Sequence, residues 1–390
     1  MKTIPIAYHL QHYLSPSMTF IYRQLKIVEK QFPTIVTCSD RLENLNKFPF
    51  PAVYFKNRNF LRLKKSKYYR KLFGDLNLLA CNPKLSLQQK NFLKKIYNEK
   101  GIRLIHSHFG PSGLEILPLT KQLRIPLVVT FHGYDASILL NNELYIKNLK
   151  KLFSYAHIVT VSYQMKKELK NIVTNNDNFS VIRCGIPVDL FSFVKREDLS
   201  RKFYRNESIT FLQISNFVEV KGHKFTVEAF RKFLDFYKNA KLVLAGDGNT
   251  KESINNLCAA LGIQDKVFFP GLVNEKEVKK LLEEADVFLH HSVGLQNGVK
   301  EGLPTVIMEA MATGLPVISS YHSAIPELIE DGINGFLVEE RNIDQYYKAM
   351  LNLKNTPATM GISARKQIIE NFNLEHESKK LMNLYYSLVN

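Results

Sequence analysis

The sequence has 390 residues, enough for two ordinary domains, and its 45% apolar content is typical of a globular protein. No segment is apolar for long enough to span a bilayer, and the N-terminal residues lack the apolar stretch and cleavage site of a secretory signal. The four cysteines lie far apart in the sequence, which argues against a disulfide framework or a zinc site. We therefore expect a cytoplasmic protein.

The net charge of +17 is unevenly distributed. Residues 1–200 contain 31 Lys and Arg against 13 Asp and Glu, a net charge of +18, whereas residues 201–390 contain 22 against 23. Much of the excess lies in Lys56–Lys71, where basic residues are mixed with Phe, Leu and Tyr. This pattern suits the surface of an anionic membrane, and a solvated helix face is the alternative. No recognition module accompanies the basic run, so nucleic acid is not expected as a partner.

Short apolar runs alternate with helical patterns along the chain, which predicts βαβ units around parallel sheets and an α/β fold. The predicted strands are 4–8, 34–37, 104–106, 127–131, 158–161 and 179–182 in the first half, and 210–214, 241–245, 267–269, 287–290, 317–319 and 335–338 in the second. The polar segment 193–206 is the best candidate for a linker. Such sheets bind ligands at the carboxyl ends of their strands, and we expect the functional residues there.

Two strand ends in the first half carry candidate site residues. Ser17 and Thr19 lie where the first strand leads into a helix, although Ser17 could equally be a helix N-cap. His132 follows the fourth predicted strand, and its ring can donate one hydrogen bond and accept another, which suits a hydroxyl-rich ligand. His106 and His108 also end a strand, but we expect their side chains on opposite faces, which argues against a shared metal ion.

The second half carries further candidates in the turns that follow its strands. Lys221 and Gly222 follow a predicted strand and open a helix, and Asn216 lies between that strand and the lysine. Val273 ends a glycine turn after another strand. Since no G-x-G-x-x-G follows any strand, a nicotinamide-dependent enzyme is disfavoured.

The most informative segment is KEGLPTVIMEAMATGLPVISS, at residues 300–320. Glu301 precedes a predicted helix at residues 305–312, and Glu309 lies within that helix. The unpaired N–H groups at such a helix start carry a partial positive charge, which suits a phosphate. One carboxylate can therefore bind sugar hydroxyls on one side of the phosphates, while the other can reach a ribose.

The E-x7-E spacing, with EGLP, EAMATGLPVI and IPELIEDGINGFLV in order, resembles retaining glycosyltransferases of family 4, especially polysaccharide- and lipopolysaccharide-building members. The resemblance covers essentially the whole chain and is sharpest from Phe211 to Val338. It implies the GT-B fold, with two doubly wound Rossmann-like domains facing a central cleft and a C-terminal helix that crosses back to the first domain. The acceptor-side domain would be residues 1–195, with 373–390 packed against it, and the nucleotide-sugar domain residues 196–372.

The resemblance also implies roles for individual residues. In catalysis, Glu301 would bind sugar hydroxyls, His132 the sugar or a phosphate, and Lys221 the diphosphate. The implied nucleotide-sugar contacts are Glu309, Gly302, Leu303, Pro304, Thr305, Asn216 and Val273, and the implied acceptor-side residues are Ser17 and Thr19. Asn216 stands where the family has an arginine, so one of the two cations that usually hold the diphosphate is missing.

We therefore expect a retaining glycosyltransferase that moves a hexose from a nucleoside-diphosphate sugar to a glycan, most simply a lipid-linked one, in exopolysaccharide, capsule or lipopolysaccharide synthesis. No two aspartates are spaced i, i+2, so the metal-holding D-x-D is absent and we expect neither a metal nor another cofactor. The enzyme would work in the cytoplasm, and it could bind there as a peripheral protein to the inner face of the cytoplasmic membrane. The alternatives are a sugar-nucleotide epimerase of the same fold and a non-catalytic relative that binds glycan or lipid.

Overall fold

The computed structural model describes residues 4–15, 18–56, 80–173, 177–357 and 359–389. The chain forms two compact units. The first comprises Met1–Gly185 and Leu374–Asn390, and the second comprises Ile186–Asn373. In the described part of the chain, no helix is both long enough and apolar enough to cross a membrane.

The first unit is built around a parallel sheet. Its strands are β1 (Ile6–His12), β2 (Thr34–Arg41), β3 (Val53–Phe55), β4 (Leu104–His108), β5 (Leu127–Phe131), β6 (His157–Thr160) and β7 (Phe179–Val181). They lie in the order β3-β2-β1-β4-β5-β6-β7, which is the order of a doubly wound sheet. The β5 sequence LVVTF is buried at every position, as expected for a central strand with helices on both faces.

Helices connect the strands of the first unit, except between β2 and β3. They are α1 (Thr19–Val28), α2 (Leu87–Glu99), α3 (Gly110–Leu123), α4 (Glu143–Phe153) and α5 (Tyr163–Lys170). The start of α2 is fixed by a capping box, in which Ser86 accepts from the main chain of Gln89 and the Gln89 side chain accepts from Ser86. Asn142 and Ser162 cap α4 and α5 in the simpler way, by accepting a single main-chain hydrogen bond.

The C-terminal helix, Leu374–Val389, is part of the first unit, as the family resemblance implies. Its Tyr385 hydroxyl hydrogen-bonds with the Tyr8 hydroxyl at 3.1 Å and with His106 Nδ1 at 2.5 Å. Glu377, also on this helix, accepts a hydrogen bond from the Arg183 main chain at 2.7 Å. Both polar anchors are buried, so they hold the helix in one register on the sheet.

The second unit repeats the architecture with six parallel strands. They are β8 (Ile209–Ile214), β9 (Ala240–Ala245), β10 (Val267–Gly271), β11 (Val287–His290), β12 (Val317–Ser320) and β13 (Phe336–Val338), in the order β10-β9-β8-β11-β12-β13. Its helices are α6 (Leu199–Tyr204), α7 (His223–Phe236), α8 (Lys251–Ala260), α9 (Glu275–Glu284), α10 (Thr305–Ala312), α11 (Ile343–Asn352) and α12 (Thr359–Asn371). Separate apolar clusters pack on its two sheet faces, one around Phe211 and Phe230 and the other around Met308 and Met311. The predicted α/β fold with two Rossmann-like units is confirmed.

The polar segment 193–206 belongs to the second unit and contains α6. Arg196 within it donates hydrogen bonds to several main-chain carbonyl groups of that unit, one of them Leu282 at 2.6 Å. Ile186, ahead of the segment, is already fully buried in the core of the second unit. The division between the units therefore falls after Gly185, earlier in the chain than the expected boundary at residue 195, because the apolar residues before the polar segment pack into the second core.

Candidate active site

Lys221 lies at the end of the short loop that follows β8. Its main-chain carbonyl accepts a hydrogen bond from Gln213 Nε2 at 2.9 Å. The next residue, Gly222, has a φ of +58°, and a Cβ there would lie 1.8 Å from the main-chain oxygen of His291. Only glycine can make this approach. The Lys-Gly pair thus fixes the point at which the lysine side chain leaves the backbone.

The Lys221 ammonium group forms an ion pair with the Glu301 carboxylate, where Nζ contacts Oε1. The two side chains are only 20% and 9% exposed. Burial lowers the pKa of Lys221 to about 7, whereas direct contact with a carboxylate favours the charged ammonium. The sequence assigns Lys221 to the diphosphate of the ligand and Glu301 to its sugar. In this structure the two side chains bind each other.

The other carboxylate oxygen of Glu301 is held by residues at the end of β11. Ser292 Oγ donates a hydrogen bond to Oε2, and His290 Nε2 lies 3.2 Å from the same oxygen. Burial lowers the pKa of His290 well below its usual range, and the positive charge of Lys221 adds to this effect. The ring is thus neutral, and its Nε2–H donates to the carboxylate.

The main chain at Glu301 has a partner of its own. Its N–H donates to His322 Nε2 at 3.0 Å, and His322 Nδ1 lies 2.7 Å from Glu340 Oε1. The second oxygen of Glu340 accepts the N–H of Gly294 at 2.8 Å. His322 follows β12 and Glu340 follows β13, so three neighbouring loops at the carboxyl edge of the sheet meet here.

The helix α10 begins at Thr305, directly after the segment that carries Glu301. Pro304 is its N-cap residue, and among the described residues no side chain caps this helix start. Gly302 and Leu303 are half-buried between Glu301 and the helix. Main-chain N–H groups of the first turn are therefore the groups that an anion could use here. Glu309 lies on the same helix, largely buried at 9% exposure.

The remaining nucleotide-sugar candidates of the second unit lie on loops at the same edge of the sheet. Asn216 is exposed in the loop after β8, two positions past the end of the strand. Val273 is half-buried after β10 and packs against the apolar core. Both positions are compatible with the predicted contacts, and their roles stay predictions.

In the first unit, His132 follows β5 directly. Its Nε2 lies 2.9 Å from His108 Nδ1, and its Nδ1 lies 3.7 Å from the Cys184 thiol. The loop that carries it is fixed by the buried Asp135 carboxylate, which accepts the N–H groups of His132 at 3.0 Å and of Gly110 at 2.9 Å. This carboxylate ties the β5 loop to the start of α3. The role of His132 towards a ligand stays a prediction.

The expectation for His106 and His108 was wrong. Their rings lie on the same face, with centroids 4.4 Å apart, because residues two apart in a strand point to the same side. In the described residues, no group of three or more His, Cys, Asp and Glu side chains could hold a metal ion.

On the acceptor side, Thr19 is the first residue of α1 and is half-buried. Ser17 lies outside the described residues, as does Lys56–Lys71 apart from its first residue.

Sequence reasoning missed most of the residues that surround Glu301. These residues lie at the ends of three different strands, and a sequence pattern does not show that those strand ends meet. They are His290 and Ser292 at the end of β11, His322 after β12 and Glu340 after β13. A usable signal existed for His290 and Ser292, because they end a predicted strand on the carboxyl edge, where site residues are expected. Asp135 could have been found in the same way, since it stands three positions after His132 in a strand-to-turn segment.

The fold defines a class. Two doubly wound units are the architecture of GT-B glycosyltransferases, and in this chain a lysine–carboxylate pair lies beside a helix start at the carboxyl edge of the second sheet. Two family models match the chain: "Glycosyltransferase Family 4" over residues 53–190 and "Glycosyl transferases group 1" over residues 195–373. The chain belongs to this family of glycosyltransferases, which confirms the resemblance seen in the sequence.

Individual relatives are consistent with the family. The chain is 28% identical over 289 residues to the colanic acid biosynthesis glycosyltransferase WcaL of Salmonella typhimurium, covering 72% of this chain and 70% of WcaL. It is 22% identical over 316 residues, 76% of this chain and 78% of the relative, to the UDP-Gal:alpha-D-GlcNAc-diphosphoundecaprenol alpha-1,3-galactosyltransferase of Escherichia coli. The crystal structure of HepE from Anabaena in complex with UDP and glucose has the same fold, with a TM-score of 0.75, 16% identity and coverage of 98% of this chain and 100% of HepE.

Proposed function

We propose that this protein is a retaining glycosyltransferase that moves a hexose from a nucleoside-diphosphate sugar to a glycan carried on a lipid. The observation that carries this proposal is the contact between Lys221 and Glu301 beside the start of α10. A cation and a helix start suit a diphosphate, and a carboxylate suits sugar hydroxyls. A nucleoside-diphosphate sugar presents both kinds of group next to each other.

The chemistry requires few protein groups. The bond between the anomeric carbon and the diphosphate breaks, and a new bond forms from that carbon to an acceptor hydroxyl on the same face. The hydroxyl proton passes to a phosphate oxygen of the donor, so a protein base is not needed. Lys221 and the first turn of α10 would stabilise the charge that builds on the leaving diphosphate, without a metal. Glu301 would orient the sugar and Glu309 the ribose.

The acceptor and the location follow from the relatives and the charge. WcaL is named for colanic acid biosynthesis, and the galactosyltransferase of Escherichia coli is named for a diphosphoundecaprenol-linked acceptor. An undecaprenyl chain is long and apolar, so an acceptor of that kind would be anchored in a membrane. The excess of basic residues in the first 200 positions would favour an anionic membrane surface, and Lys56–Lys71 is the segment proposed to contact it.

The deciding experiment is product analysis with a panel of nucleoside-diphosphate sugars and diphosphoundecaprenol-linked acceptors. We expect a glycosylated lipid with the anomeric configuration of the donor, as measured by NMR. A donor sugar whose ring stereochemistry changes without an acceptor would instead indicate an epimerase. Binding of glycan or lipid without any turnover would indicate the non-catalytic alternative.

Two further measurements test the finer parts of the proposal. Transfer should persist in excess EDTA, and a complete loss of activity that Mn²⁺ or Mg²⁺ restores would contradict metal independence.

The protein should also co-sediment with vesicles of acidic lipids in a salt-sensitive way, since the Debye length is only about 8 Å at physiological salt. Binding that is absent, or equal for neutral vesicles, would remove the membrane from the proposal.

A further inference from the structure

Glu301 is carried by a segment that has little regular structure to hold it. After β11 ends at His290, residues 291–304 form neither helix nor strand before α10 begins. A segment of this length has many accessible conformations, and a side chain on it is placed only as well as its main chain is fixed. The contacts that fix the main chain at Glu301 therefore decide where its carboxylate lies.

One carboxylate connects this segment to the two neighbouring loops. Glu340 Oε2 accepts the N–H of Gly294 at 2.8 Å, near the beginning of the segment. Glu340 Oε1 lies 2.7 Å from His322 Nδ1, and His322 Nε2 accepts the N–H of Glu301 at 3.0 Å, near the end of the segment. Arg341 contacts both Glu340 and Gly294. Its guanidinium lies 3.2 Å from Glu340 Oε2 and also donates a hydrogen bond to the Gly294 carbonyl.

The donors and acceptors in this chain leave one consistent arrangement of protons. The main-chain N–H of Glu301 can only donate a hydrogen bond, so His322 Nε2, which accepts it, must be the unprotonated ring nitrogen. The His322 proton then lies on Nδ1 and is donated to Glu340, which accepts hydrogen bonds with both of its oxygens. The histidine is almost fully buried, with its side chain 1% exposed, so water does not compete for either nitrogen.

We propose that Glu340 and His322 are positioning residues, which hold the main chain at Glu301 so that its carboxylate meets the sugar of the donor. Neither residue needs to touch the ligand in this role. They act on the main chain at Glu301, whereas the main chain at Lys221, in the diphosphate part of the site, is fixed separately by the hydrogen bond from Gln213 and by the close approach of Gly222 to His291. The proposal rests on the proposed function for its ligand, but not for the hydrogen-bonded chain itself.

The first test needs no ligand. His322→Phe keeps a flat ring but removes both nitrogens, whereas His322→Gln keeps an oxygen that can accept the N–H of Glu301. Amide hydrogen exchange of the free protein should become at least tenfold faster at residues 294–303 in His322→Phe and in Glu340→Ala, and should stay near the wild-type rate in His322→Gln. Glu339→Gln, a change of the exposed neighbouring glutamate, is the matched control. Wild-type exchange in both disrupting variants would overturn the proposal.

The second test separates positioning from a general loss of structure. We would measure binding of UDP, GDP and ADP, and of their glucose conjugates, together with donor kcat/KM. In His322→Phe we expect nucleoside diphosphate affinity within about twofold of wild type, but kcat/KM lower by about 30-fold, because a misplacement of about 1 Å can cost up to 100-fold. His322→Gln should recover most of this loss.

The outcomes are distinct. Equal weakening of nucleoside diphosphates and of their sugar conjugates would show a merely structural role and overturn the positioning role. Wild-type kcat/KM in His322→Phe would overturn it as well. If the wild-type protein binds none of the nucleotides, the proposed function fails, and the exchange experiment still decides whether Glu340 and His322 hold the segment of Glu301.

Discussion

The carboxyl edges of the two sheets differ in how they handle charge. In the second unit, the buried edge pairs opposite charges, with Lys221 against Glu301. In the first unit, the corresponding edge contains a row of histidines that are neutral. Burial lowers the pKa of His106 and His132 well below the usual range and that of His108 to about 3. These rings contact one another and Tyr8 instead of a counter-ion.

The difference indicates which kind of ligand group each edge suits. An ion pair can separate when a charged ligand arrives, because the ligand replaces the partner of each group. On the proposed function, Lys221 would exchange Glu301 for a phosphate, and Glu301 would exchange Lys221 for a sugar hydroxyl. A row of neutral rings has no charge to offer, but it has donors and acceptors that match hydroxyl groups. The same fold therefore carries an ion pair at this edge of the second unit, the charged edge, and a row of neutral histidine rings at this edge of the first unit, the neutral edge.

The largest effect that we expect is from removing the carboxylate of the charged edge. Glu301→Ala should lower kcat/KM by about 100-fold or more, since each hydrogen bond to a charged group contributes about 1.5–3 kcal/mol and the carboxylate can bind two hydroxyls. Initial rates over a range of donor concentrations measure this. Glu284→Ala, a change of a surface glutamate paired with Lys280 at 3.7 Å, is the control. Full activity in Glu301→Ala would remove this residue from the site.

The neutral histidines of the first unit should make the stability of the protein depend on pH in acid. His108 has a folded-state pKa of about 3 against about 6.5 when unfolded, so the unfolded chain binds the extra proton. The contribution of His108 to the free energy of unfolding is therefore constant above pH 6.5. Below that pH the free energy of unfolding falls, by about 2 kcal/mol at pH 5. Thermal unfolding of His108→Phe should show a smaller loss between pH 7 and pH 5 than wild type. An equal loss in both proteins would contradict a neutral His108.

The sequence predicts the regular elements around the site well where an apolar run is long and bounded. The bounds of β5, β11 and α10 are the same in the prediction and in the structure. The strand β3 was missed because it has three residues, all half-exposed, at the edge of the sheet after Pro51. The helix α6 was missed because its sequence, LSRKFY, is mostly polar and contributes a single buried residue, Leu199, so that it resembles a linker.

The charged edge could be predicted only in part. Lys221 and Glu301 were each found from local patterns, but their mutual contact spans 80 positions and carries no sequence signal. The partners of Glu301 are similarly distant, since His322 lies 21 positions away and reaches Glu340 after another 18. Such contacts follow from the order of the strands, which brings the ends of β11, β12 and β13 side by side. Local periodicity does not contain that order.

A smaller effect should come from the charge on Lys221. Because burial lowers the pKa of this lysine to about 7, its ammonium is charged below that pH and loses its proton above it. UDP affinity should therefore fall by about tenfold between pH 6 and pH 9, the value of one charge-assisted hydrogen bond of about 1.5 kcal/mol. In Lys221→Arg the guanidinium stays charged, and this fall in affinity towards pH 9 should be absent. An equal slope in both proteins would mean that Glu301 keeps the lysine charged throughout.

The smallest effect concerns Asn216. This residue is exposed in the loop after β8, at the position where the family resemblance implies an arginine that would hold the diphosphate. Asn216→Arg should tighten UDP binding by about fivefold, less than a buried charge-assisted hydrogen bond would give, because water screens a charge at an exposed position. Calorimetry measures this, and the gain should shrink as salt is raised. Asn216→Gln, which lengthens the side chain without adding charge, is the matched control and should bind UDP as wild type does. If Asn216→Arg leaves the affinity unchanged at low salt, another group of the protein already fills the place of the missing arginine, and the charged edge is more complete than its sequence indicates.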